Sequence, residues 1–291
     1  MSRTTSAGVA TVRQLCRAFG ISRQAFYAAR KRPATAAASS PFERRGDWPT
    51  AAEVLPLIRR IVEDEPAWGV RKVWAALRRA GTLVSMKRVW GLMHAHGLVL
   101  DGPGARDPER PRGHVVVPDS NRRWGTDLTT VWTRRDGLAA VTPVIDCGDR
   151  FGLAIGVTKS QEAPAILGPV ARALAEEFGL ASHVPDGLEL RTDHGPQYTG
   201  ADCDRLCAEW GVDHTLAPVR RPTGNAVSER FILTMKIEVI WSRDWESVAE
   251  LDAALQRWLR KYNHERPHQA LGWRTPAEQR ALNLGRVSHA A

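Results

Sequence analysis

Cysteine is scarce in this chain: Cys16, Cys147, Cys203 and Cys207 are all it has in 291 residues. So few thiols exclude a disulfide scaffold and point to a reduced, cytoplasmic setting. Cys203 and Cys207 stand four apart in ADCDRLCAEW, on one helical face. With only His214 nearby, that spacing predicts core packing and not a zinc site. Long apolar runs are missing too. A stretch such as GLAAVTPVI (137–145) falls far short of the ~20 residues a membrane-spanning helix needs. The opening residues carry Arg3 but no apolar signal core, so export is not expected. No repeat of fixed period is visible.

What remains is an ordinary globular composition, 43% apolar and 25% charged, long enough for one large domain or two to three small ones. The charge is unevenly spread. Residues 1–123 hold 22 Lys and Arg against 10 Asp and Glu, and residues 124–291 hold 19 against 22. A basic front on a slightly acidic back predicts a polyanion-binding module joined to a part that tolerates carboxylates.

Two stretches rich in Pro, Ala, Ser or Gly, centred on 33–50 and 99–120, read as linkers. Before the first, residues 1–32 contain TVRQLCRAFGISRQAFYAARKR, a helix–turn–helix pattern. Val12, Leu15, Cys16 and Phe19 keep helical spacing, Gly20 breaks it and Ser22 caps the next helix. Arg23 and Gln24 then face solvent, where a groove-reading helix presents its polar side chains. Residues 51–98 repeat the theme with three amphipathic segments, the last capped by Ser85. Arg71, Lys72, Arg78, Arg79, Lys87 and Arg88 crowd their polar faces, while Trp74, Leu77, Trp90 and Met93 are expected in the core. Neither module offers an aromatic sheet platform, which favours DNA over RNA.

Residues 121–278 change class, and 279–291 read as a tail. Strand-like runs at RWGTDLTTVWT, LAAVTPVID and FGLAIGVT precede a helix at 162–179. The strand ending in LRTDHG, a helix at 200–210, the strand VDHTLAP and a helix from about Asn225 follow. This order predicts an α/β fold with a mixed sheet covered by helices. Pro143 is awkward inside a central strand and predicts a bulge or shifted boundary.

Three acids stand out here. Asp127 lies within the first strand, Asp193 where a later strand enters Gly195-Pro196, and Glu229 near the start of the helix for which Asn225 is the expected N-cap. They converge if the two strands are neighbours and the helix packs across them. Such a cluster needs cations. Oxygen-only ligands suit Mg²⁺ or Mn²⁺, and a pair of ions suits phosphoryl transfer. Lys236, seven residues after Glu229, shares nearly the same helical face and could hold a phosphate. Asp146 and Asp149 are rival acids. Asp146, at a strand end, reads as structural.

These blocks resemble the DDE transposase/integrase superfamily with an RNase H-like core, and more closely the second-reading-frame (OrfB) transposases of the IS-three insertion-sequence family. LCRAFGISRQAFY resembles the family's leading helix–turn–helix, and WGTDLT, RTDHGPQYT and GNAVSERFILTMKIE its three catalytic blocks. YNHERPHQALGWRTPAE resembles its C-terminal signature. The match spans roughly residues 11–278, with 35 residues between Asp193 and Glu229. DCGDR (146–150) and RRPTG (220–224) depart from the family's usual turns but leave the acids in place.

The resemblance implies Asp127, Asp193 and Glu229 as catalytic, metal-binding residues and Lys236 as a DNA contact. It implies metal-dependent nicking at inverted-repeat ends and transfer of the freed 3′-OH to another DNA, in a multimer on paired ends. An upstream-frame partner or fusion fits the same family. The alternatives are a catalytically silent DNA-binding regulator, which loss of a triad acid would favour, and a purely hydrolytic RNase H-like nuclease, which would need no DNA-binding modules.

Overall fold

The computed structural model describes residues 48–100, 117–218 and 225–290. The expected helix–turn–helix, with Arg23 and Gln24, lies outside these described residues.

The helical module forms as its patterning requires. Helix α1 (Ala51–Asp64) opens on a capping box. The Glu53 carboxylate accepts from the Thr50 N–H at 2.6 Å, and the Glu53 N–H donates to Thr50 Oγ1 at 3.3 Å. Helices α2 (Val70–Arg79) and α3 (Met86–Ala95) follow, the latter capped by Ser85. Val54, Ile58, Val73, Leu77, Val89 and Met93 close a core of their own. Trp90 departs from expectation. Val89 and Met93 occupy the inner face of α3, so position 90, ~100° round the helix, turns outward, 51% exposed and stacked on His94.

The α/β part is a six-stranded mixed sheet. Its spine is β3 (Gly137–Asp146), flanked by β1 (Arg123–Thr126), β2 (Thr129–Thr133) and β4 (Gly152–Thr158). Ala140 is shared by Thr130 and Thr158, and Val144 by Thr126 and Ala154. Strands β1 and β2 therefore line one edge of β3 and β4 the other, all antiparallel. On the far side of β1, β5 (Glu189–Thr192) and β6 (Asp213–Leu216) add in parallel. Pro143 does sit inside β3, paired with Ile155, and the register slips one residue later, between Val144 and Ile145.

Alternation along β3 divides the core. Ala139, Val141 and Ile145 face α6 (Ala226–Glu238) and α7 (Val248–His264) through Phe231, Met235 and Trp258. Ala140 and Val144 face α4 (Ala163–Phe178) and α5 (Ala201–Trp210) through Ile166, Val170, Cys203 and Cys207. Beyond 278 the expected tail is instead a continuation of helix α8 (Pro276–Ala290), which buries Arg280 and Asn283. Among the described residues no helix is long and apolar enough to cross a membrane.

Candidate active site

WGTDLTTVWT is not one strand. It breaks at Asp127-Leu128, because the Leu128 N–H donates to Asp127 Oδ1 at 2.8 Å instead of to a ladder partner. On the neighbouring strand Asp193 does the same kind of thing, accepting from the Gly195 N–H at 2.9 Å to start the turn. Strands β1 and β5 pair Arg123 with Glu189 and Gly125 with Arg191. The same register, continued two residues, sets Asp127 opposite Asp193.

Helix α6 crosses this pair at close range. A Cβ on Gly125 would overlap Ser228 Oγ, so only glycine lets the helix lie this near β1. Asn225 precedes the helix, but its side chain makes no cap hydrogen bond. It turns inward beside Gly125. Phe231, Ile232 and Met235 anchor the helix in the core, leaving Glu229 exposed and Lys236 half-exposed.

The electrostatics of Asp127 register the whole group. Burial pushes its carboxyl up to about 6, and the charges of Asp193 and Glu229 push the same way. The Leu128 N–H and the Lys236 ammonium oppose them. Beneath the two aspartates Tyr198 is buried, and its phenol is raised by that burial and by both carboxylates. Among the described residues no three His, Cys, Asp or Glu side chains stand as a closed metal cage. The donor set nonetheless fits an oxygen-preferring divalent cation in chemistry: carboxylates only, mutually repelling, with one ammonium to offset them.

The rival acids are occupied elsewhere. Asp146 is fully buried, accepts from the Asn121 and Gly148 N–H groups at 2.6 and 2.8 Å, and meets Arg280 Nη1 at 3.1 Å. The same guanidinium reaches Asp149 at 2.8 Å and Glu177 at 2.5 Å. Neither Arg280 nor Glu177 drew notice in the sequence, where an arginine in a polar helix reads as solvated.

The remaining candidates scatter. Lys72 Nζ is 2.8 Å from Glu238, whose buried carboxylate also takes Trp258 Nε1 and Arg266 Nε, each at 3.0 Å. Arg71 donates to Gln269 at 3.2 Å, and Arg79 grips Glu278 bidentately at 2.8 and 2.6 Å. Lys72 thus binds the helical module to the end of α6, and Arg71 and Arg79 bind it to the segment after α7. Lys87 is exposed and Arg88 half-exposed, neither with a carboxylate partner among the described residues. His194 hydrogen-bonds the Ala217 carbonyl at 2.9 Å. Tyr262 and Asn263 are buried, and the Asn263 amide clamps both the N–H and the C=O of Gly152 at 2.8 Å. In the 262–278 segment these two side chains are packing elements.

Comparison with known proteins agrees with this layout. Residues 118–222 and 210–276 match two family models, each described as an integrase core domain, and residues 50–104 match an HTH-like domain. Transposase InsD for insertion element IS2D of Escherichia coli K12 is 31% identical over 258 residues, covering 82% of this chain and 83% of that protein. Similar solved structures include the simian T-cell lymphotropic virus intasome, at 18% identity and TM-score 0.44, covering 79% of this chain and 74% of that one. The catalytic core domain of BIV integrase has 21% identity and TM-score 0.41, covering 58% and 98%. The chain belongs to the insertion-element transposases, with an HTH-like domain ahead of an integrase core.

Proposed function

We propose that this transposase nicks the inverted-repeat ends of its own element and joins the freed 3′-OH to a second phosphodiester, with Asp127, Asp193 and Glu229 as its catalytic acids. The convergence of two strand-end aspartates with Glu229 and Lys236 in one electrostatic field carries this reading. The three acids would hold a divalent cation, Mg²⁺ or Mn²⁺. When bound, it stabilises developing charge on the attacking and leaving oxygens. Asp127 and Asp193 are pre-oriented by the Leu128 and Gly195 N–H groups, and Glu229 is set against them by the Gly125–Ser228 approach. Lys236 offsets their charge and steadies a neighbouring phosphate.

Recognition of the element ends we assign to residues 1–32 and 51–98, catalysis to 121–278, and the working form to a multimer on paired ends. The upstream-frame product or a fusion with it would add further DNA contacts. Asp127→Asn, Asp193→Asn and Glu229→Gln each remove one charge and keep the side chain's shape. Each is expected to abolish cleavage of a labelled element-end duplex while leaving its mobility shift intact. More than a few per cent of wild-type cleavage in any one of them sinks that residue's role.

A further inference from the structure

On the far side of α6 from Glu229, a cleft of about 1030 Å³ opens between the helical module and the core. Its walls carry Arg71, Lys72, Arg123, Arg150, Arg230 and Arg266, and no Asp or Glu among the described lining residues. Some of this charge is answered from behind the wall. Glu238 pairs with Lys72 and Arg266, and Glu189 with Arg123. Arg150 and Arg230 have no carboxylate partner among the described residues. The uncapped first turn of α6 also opens here, through Ala226 and Val227, adding the positive end of a helix dipole.

The cleft acts on its own lining. His268 sits in it between Arg266 and Lys72. Burial holds its imidazole down at about 2, and the charges of Arg266, Lys72 and Arg150 push the same way.

We propose that this cleft is a binding track for the sugar–phosphate backbone of the DNA being processed, with Arg150 and Arg230 supplying the phosphate contacts. The proposal rests on the catalytic reading above and extends it to residues that reading does not use. Arg123 and Asp127 lie four residues apart on the same side of β1, roughly 13 Å at ~3.3 Å per residue. Helix α6 crosses β1 at Gly125, between these two residues, so a backbone held in the cleft passes round the helix to reach the acids. Phosphate contacts of this kind set position and carry no base preference. The track therefore serves any sequence, the target DNA included.

The test uses the full-length protein and a fluorescent duplex of arbitrary sequence, with binding followed by anisotropy across a salt series. Each phosphate contact contributes about 0.9 to the slope of log K against log[salt]. Arg150→Gln/Arg230→Gln is expected to lower that slope by about 1.8. Arg205→Gln/Arg257→Gln, the same charge change on exposed arginines outside the cleft, leaves it unchanged. An unchanged slope in the first variant overturns the track, and so does an equal fall in both. If the double variant melts early, Arg230→Gln alone, on an exposed helical surface, is expected to lose about 0.9. A fallen slope alongside cleavage retained by Asp127→Asn would support the track and sink the triad, so the two claims fail separately.

Discussion

Asp127 and Asp146 end neighbouring strands, and burial pushes both carboxyls up, to about 6 and about 7. What separates them is the countercharge within the chain. Asp146 and Asp149 share the Arg280 guanidinium, which Glu177 and the Asn121 amide complete, so that group is closed and buried. Asp127 faces Asp193 and Glu229 with a half-exposed Lys236 to offset them, and the group opens to solvent. One set of acids is finished by the protein itself. The other keeps most of its mutual repulsion, offset within the described residues by Lys236. A raised carboxyl pKa alone does not tell the two apart, and the supply of countercharge does.

The strongest way to break this comparison is to unfinish the closed group. Arg280→Met leaves Asp146 and Asp149 buried together, with the half-buried Glu177 beside them and no cation, which is expected to cost about 3–5 kcal/mol. At ~2–4 °C per kcal/mol the melting temperature should drop by on the order of ten degrees. The loss should shrink as pH falls, because these carboxyls titrate high in the folded state and take up protons there first. A melting curve that Arg280→Met leaves unmoved would mean that the arginine is not what closes the group.

The next effect runs in the opposite sense. Asp193→Asn should lower cleavage at least about a hundredfold, ~2.7 kcal/mol in barrier, without lowering thermal stability. Asp146→Asn, assayed where it is folded, should keep cleavage while melting earlier. Should both variants lose activity and stability together, the division between an open and a closed group would collapse.

Much of the open group was legible in the sequence because it is built from local signals. Alternation with Gly-Pro punctuation marked the strand before Asp193, Asp127 stood out as an acid in a neutral strand and Glu229 as an acid near a helix start, and the family resemblance joined the three. The closed group was invisible for the opposite reason. Arg280 meets Asp146 across 134 positions, and Lys72 meets Glu238 across 166. Neither pairing leaves a periodic trace, so a lysine that reads as a solvated DNA contact is found in an ion pair. Trp90 was misplaced because apolar character alone does not fix an angle on a helix; Asn225 does hold the N-cap position, but its side chain turns inward beside Gly125 and makes no cap hydrogen bond. The strand break at Asp127 could have been anticipated: an aspartate carboxylate can accept the next residue's N–H and so compete with the ladder.

A smaller effect sharpens the account of Lys236. As the cation that offsets the open group's charge, it should matter to chemistry more than to folding. Lys236→Ala is expected to slow cleavage and strand transfer about tenfold, ~1.4 kcal/mol, with the melting temperature held. Lys236→Arg should restore part of the rate by returning the charge. A solvated lysine with no role would show less than about a twofold change, within the scatter of surface substitutions.

The smallest effect tests the open group through stability. The folded Asp127 carboxyl titrates at about 6, above its ordinary 3.8, so the folded chain binds a proton that the unfolded chain has released. The sign follows: this group's contribution to stability is fully present below the unfolded value and is lost as pH rises through the folded one. At neutral pH the ionised side chain is therefore a liability. Removing its charge should stabilise the metal-free protein. The full shift would convert at ~1.36 kcal/mol per pKa unit, but Asp127 is only partly buried. Allowing for solvent screening, Asp127→Asn is expected to gain about 1 kcal/mol at pH 8. Below about pH 4 the gain should vanish, because the wild-type side chain is then neutral in both states. Chemical denaturation at the two pH values, with chelator present, measures the difference. Added Mg²⁺ should narrow the gap at pH 8, since a ligand held by the native acids favours wild type over the variant. A variant less stable than wild type at pH 8 would mean that Asp127 is held by partners like those of Asp146, and the contrast between the two groups would be lost.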